Sequence, residues 1–150
     1  MTTTAQAWPD QARCRVAPSA QALLESARQG LAAAECETSA PGRYVAAHLA
    51  ALRAAAALVA ARLSPGSAGR RKRPQSVWEL LPKVEPALGE WAAFFAAGAG
   101  RRAAAEAGLP QAVSSPEADE LLRDAGIFVS LAEDALGVKA QPLLPMHCPE

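Results

Sequence analysis

Arg43 and His48 stand five positions apart in PGRYVAAHLAALRAAAALVAAR, residues 41–62, an R-x4-H spacing in an otherwise apolar run. Histidine moves a proton near neutral pH, and a guanidinium grips a phosphate through two parallel hydrogen bonds. Together they could cleave RNA without a metal, the ribose 2′-OH attacking and a cyclic phosphate remaining. Such cleavage needs both a base and an acid. One pair is therefore half a site, and a homodimer with two pairs in one cleft would complete it. Residues five apart on a helix lie about 140° apart and about 7.5 Å along the axis. Arg43 must then sit in a first turn and bend back to reach His48, whereas Tyr44 and His48 share a face. The plainer reading leaves Arg43 solvated and His48 packed beside Tyr44 with its polar edge in water.

Arg70, Arg71, Lys72 and Arg73 are consecutive in a stretch rich in glycine, serine and proline. Four cations on a surface loop could hold phosphates, with binding that weakens as salt rises. Arg53 joins this candidate nucleic-acid set, Trp78 could stack a base, and Arg101-Arg102 could extend the patch. A solvated loop with Trp78 as a core anchor explains the same residues. The acids Asp119, Glu120, Asp124, Glu133 and Asp134 read as a solvated helix face, because no histidine stands near them. His147-Cys148 supplies two ligands where a metal site needs three or four. No phosphate loop, dinucleotide fingerprint, zinc-protease or nucleophile-elbow motif is present, so no cofactor and no metal are expected.

The elements that must carry these residues are helices. The chain has 150 residues, 51% of them hydrophobic, with 15 basic and 15 acidic residues and a formal net charge of zero. That length suits one domain, and the zero balance gives no global field toward nucleic acid or membrane. Alanine dominates the apolar fraction and favours helix over sheet. Helices are predicted from Pro18-Ser19, with Ser19 as N-cap, to near Glu37, and from Pro41-Gly42 to Leu63. A short helical turn follows at Ser76–Leu81, opened by the capping pattern S-x-x-E. A third long helix runs from Pro86 to Gly108, with Gly98 and Gly100 thinning or kinking it. A fourth runs from Ser115-Pro116 to Leu136, with Gly137 as its left-handed cap. On the second helix the seam Val45, Leu49, Leu52, Ala56, Val59 and Leu63 is expected to face the core. The expected fold is all-α, an antiparallel up-and-down bundle of four main helices plus one short helix. Residues 1–17 are expected to form a flexible arm, 18–137 the domain and 138–150 a disordered tail. His48, Arg53 and Arg62 interrupt the second helix, which argues for a core helix and against a membrane span. Cys14, Cys36 and Cys148 are three and far apart, so a disulfide framework is not expected and a reducing cytoplasm is.

The segments RYVAAHLAALRAAAALVAAR and SVWELLPKVEPALGEWAAFFAAGAGRRAAAEAG resemble small bacterial HEPN domains of high-GC organisms, over roughly residues 19–137. The resemblance implies an up-and-down helical bundle, commonly dimeric. It also implies one of two activities. Many such domains are metal-independent ribonucleases using R-x4-6-H, here Arg43 and His48; others bind nucleotides, RNA or partner proteins. Nuclease members usually place Asn, Asp or His after the arginine, where this chain has Tyr44. Their motif also usually lies late in the bundle, whereas here it opens the second helix. The resemblance therefore favours an RNA- or partner-binding module, with the ribonuclease as the alternative.

Overall fold

The computed structural model describes residues 17–63, 75–138 and Cys148. Helix α1 spans Pro18–Cys36 and α2 spans Ala40–Arg62. The short α3 covers Val77–Val84, and a 3-10 turn at Pro86–Leu88 leads into α4, Gly89–Ala97. After a break at Gly98, α5 covers Ala99–Glu106, and α6 closes the bundle over Ser115–Leu136. This is the all-α bundle expected of the sequence. Its third long element is broken in two at Gly98.

Local chemistry explains the ends. Ser39 caps α2 by accepting from the Gly42 N–H, and Ser76 caps α3 by accepting from the Glu79 N–H. The N-cap of α6 is Ser114, one residue before the expected Ser115, with a full reciprocal box to Glu117. Pro116 consequently falls in the second position, where its missing N–H costs nothing. At the start of α1, Ala17 and not Ser19 is the cap residue, and no side chain serves there. Pro18 fixes φ for the first turn and starts the helix in its place. Gly137 ends α6 at φ +69°.

The second helix is the axis of the bundle and packs against α1, α3, α5 and α6. Its innermost residues are Tyr44, Ala47, His48, Ala50, Ala51, Ala54, Ala55, Ala57, Leu58 and Val59. The expected seam is corrected in part: Val59 is buried and Val45 and Leu52 pack half-buried against the core, but the fully enclosed face is the alanine one, and Leu49, Ala56 and Leu63 are only half-buried. A helix apolar all round offers no unique stripe, and the neighbours take the alanine face because small side chains let backbones approach closely. Glycine extends this on α1, where a Cβ at Gly30 would stand 3.4 Å from the Ala50 Cβ. Although Ala40–Arg62 is long and apolar enough to cross a membrane, most of its apolar residues lie in this core.

The acidic face of α6 is also corrected at one position. Glu133 is 4% exposed. Arg28 of α1 pairs with its carboxylate and donates to the Ser130 hydroxyl at 3.0 Å. The cation from α1 draws the carboxylate inward, since a buried charge persists only when paired.

The expectation of unpaired cysteines fails for two of the three. Cys36, at the end of α1, is disulfide-bonded to Cys148, 112 residues later, with the Cα atoms 5.5 Å apart. This pairing withdraws the cysteine argument for a reducing compartment. Mass spectrometry after iodoacetamide labelling of denatured protein is expected to show two more alkylated thiols with reductant than without. Equal labelling would mean that the bond is absent.

A closed imidazole at the candidate functional site

Arg43 lies in the first turn of α2, where the sequence placed it, but it turns toward neighbouring helices. It forms an ion pair with Asp119 of α6 at 2.7 Å and donates to the Glu37 carbonyl, just past α1, at 3.1 Å. It thus staples the end of α1, the start of α2 and the start of α6.

His48, one turn on, faces the other way and is fully buried. Its Nε2 lies 2.9 Å from the Phe95 carbonyl oxygen, and its Nδ1 lies 3.2 Å from a terminal nitrogen of Arg102 on α5. Arg102 can only donate and a carbonyl can only accept. One neutral tautomer satisfies both, with the proton on Nε2 and the lone pair on Nδ1. Tyr44 stacks at a centroid distance of 6.4 Å, and Trp78 and Phe95 meet the ring edge-on at 6.0 Å each.

The ring's polar edge is therefore not wet, and the guanidinium beside it belongs to Arg102 and not to Arg43. Sequence spacing missed Arg102, which lies 54 positions away and read as surface charge. The nearest signal was the glycine pair at 98 and 100, which marked a bend. At Gly98 an added Cβ would stand 2.8 Å from the Tyr44 hydroxyl and 3.6 Å from the His48 ring. Glycine there lets the α4–α5 corner close over the imidazole.

Burial holds the His48 pKa below its ordinary value, and the Arg102 charge pushes the same way, against the Phe95 hydrogen bond and the Glu106 carboxylate. The unfolded chain consequently takes up a proton first as pH falls. The stability contributed by neutral His48 is present above about pH 6.5 and is lost below it, with a slope of at most about 1.4 kcal/mol per pH unit. It levels off once the folded state also binds the proton. Urea midpoints at pH 7.5 and 5.5 are expected to show this loss, and His48→Gln should flatten it. An unchanged slope in the variant would assign the effect elsewhere.

The remaining sequence candidates do not join this cluster. Arg53 is half-buried over α1, with a terminal nitrogen 3.1 Å from where a Gly30 Cβ would stand. Arg70, Arg71, Lys72 and Arg73 lie outside the described residues. Trp78 is a core anchor, stacked on Phe95 at 5.1 Å. Among the described residues no group of three or more His, Cys, Asp or Glu could hold a metal.

Rods packed lengthwise around an alanine-lined axis, with R-x4-H opening that axis, define a small all-helical domain of the HEPN type. A family model described as SAV_6107-like HEPN matches residues 33–133, about two thirds of the chain, and the protein belongs to that family. No curated protein and no solved structure matches it.

Proposed function

We propose that this HEPN domain is a binding module for RNA or a partner protein and does not cleave RNA. One observation carries the reading: the His48 ring is fully buried and both its nitrogens are engaged by the protein. A general base must reach the proton that it removes. Arg43 is likewise committed to Asp119 and Glu37. RNA is the first partner class to test, through Arg70, Arg71, Lys72 and Arg73. A homodimer that opened the α4–α5 corner would be required for the ribonuclease alternative.

Structured and unstructured RNA incubated with the protein in EDTA is expected to stay intact. Binding, if RNA is the partner, should weaken with salt and drop roughly tenfold or more when residues 70–73 are replaced by alanine, as lost phosphate contacts predict. Absence of any salt-dependent binding leaves a protein partner. Cleavage that disappears in Arg43→Ala, with helicity unchanged, would overturn the proposal and install the ribonuclease.

A further inference from the structure

Helix α5 is weakly secured. It is eight residues long, and Ala105 is its one buried residue. An isolated helix of that length is marginal in water, so α5 depends on what its side chains reach. It packs chiefly on α2. Arg101 and Ala104 line an open groove. The Arg101–Glu117 ion pair is 3.5 Å long, with side chains 51% and 43% exposed. Such a surface pair contributes little. The Tyr44 hydroxyl donates to the Gly98 carbonyl at a stretched 3.5 Å. Glycines bracket the element: Gly98 at the break before it, and Gly108, at φ +71°, just beyond its end.

The remaining tie is Arg102. A terminal nitrogen of its guanidinium donates to the Nδ1 lone pair of His48 at 3.2 Å. That bond exists in one protonation state only. A proton on Nδ1 turns the acceptor into a donor and sets an imidazolium against a guanidinium. Among the described residues, the charges that act on the ring come from α5 alone: Arg102 in contact, and Glu106 behind it, 3.7 Å from the Arg102 Nε. From α3 and α4 the ring meets Trp78 and Phe95, which carry no charge. On α2 itself, burial keeps Tyr44 a neutral phenol, and Arg43 turns away to Asp119.

An imidazolium at this fully enclosed position has lost its water and gained no partner, which is costly. Two responses relieve it. Global unfolding surrenders the whole core. Release of α5 uncovers the ring and exposes one buried alanine. The smaller opening costs less.

We propose that α5 is a proton-operated latch: a proton on His48 expels Arg102, and α5 swings away from α2 between Gly98 and Gly108. The open form binds the proton near the ordinary histidine value of about 6.5. The closed form binds it at lower pH, because burial and Arg102 oppose the charge. Acid therefore favours the open form, and only below about pH 6.5. From pH 7.5 to 5.0 the open population rises at most roughly thirtyfold. The latch operates whatever the domain binds.

Hydrogen exchange of the full chain, read by mass spectrometry at pH 7.5 and 5.0 and corrected for intrinsic rates, tests this. Protection of the α5 amides is expected to fall roughly thirtyfold on acidification. That exchange should not respond to low urea, whereas exchange of the α1 core amides should, because they open only with the whole fold. His48→Gln should make α5 protection independent of pH. Arg102→Met should lower it severalfold already at pH 7.5. Unchanged α5 protection at pH 5.0 would overturn the proposal, and would mean that Glu106 or water accepts from the imidazolium in place. Equal urea sensitivity of α5 and α1 would overturn it in favour of global unfolding. An acid response that persists in His48→Gln, or full α5 protection in Arg102→Met, would also overturn it.

Discussion

Replacing Phe95 by alanine is expected to destabilise the fold by about 4 kcal/mol, as truncation of a fully enclosed aromatic typically does. The ring has no exposed surface and is the hub of the aromatic cluster. Trp78, Phe128 and Phe94 meet it at centroid distances of 5.1 Å, and Trp91 at 6.1 Å. Small side chains dominate the rest of the core, so few neighbours can swing in to refill the space. Against a typical total of about 5–15 kcal/mol, one such loss brings the domain close to unfolding. Urea denaturation followed by tryptophan fluorescence measures it, because two tryptophans pack on the ring. Phe94→Ala, next in the chain but half exposed, should cost under about 1 kcal/mol. Equal losses at the two positions would mean that the cluster is not organised around Phe95.

Glu133→Ala is expected to cost about 3 kcal/mol, the lower end for breaking a buried ion pair. The lower end applies because the Arg28 side chain is 24% exposed and recovers some hydration. The loss comes mostly from stranding the Arg28 guanidinium, whose Nε already has no hydrogen-bond partner. Removing both charges should then hurt less than removing one. Arg28→Met/Glu133→Leu is expected to regain most of the stability, and a double-mutant cycle by urea unfolding gives the coupling. Additive losses would show that α1 and α6 are held by packing alone and not by this pair.

The contrast between Phe95 and Glu133 shows what the sequence made legible. Phe95 follows Leu88 by seven residues and Trp91 by four, a helical spacing that by itself puts the three apolar side chains on one face. The breaks at Ser39-Ala40-Pro41, Gly108 and Gly137 were legible because proline and glycine act locally through φ and the missing N–H. Caps fell within one or two residues, since adjacent serines at 114 and 115 compete for the same role. Glu133 could not be placed, because its burial depends on Arg28, 105 positions earlier. The same limit hid Arg102 from His48 and Cys36 from Cys148. The inward face of α2 was illegible for a different reason. Alanine surrounds it, and only the shapes of the neighbouring helices select a side. At the R-x4-H pair, periodicity did state that the two residues point apart, and Arg43 and His48 do engage different helices.

Alanine at the bundle's axis also limits how this protein can change. Ala47, Ala50, Ala51, Ala54, Ala55 and Ala57 have no exposed surface, so growth by one or two methyl groups there must wedge neighbouring rods apart, at about 1–3 kcal/mol a step. Random drift can shave or decorate the periphery but cannot thicken the spindle. Novelty in descendants of this chain is thereby steered to the outward faces of the peripheral helices, where a new side chain meets solvent instead of a wall.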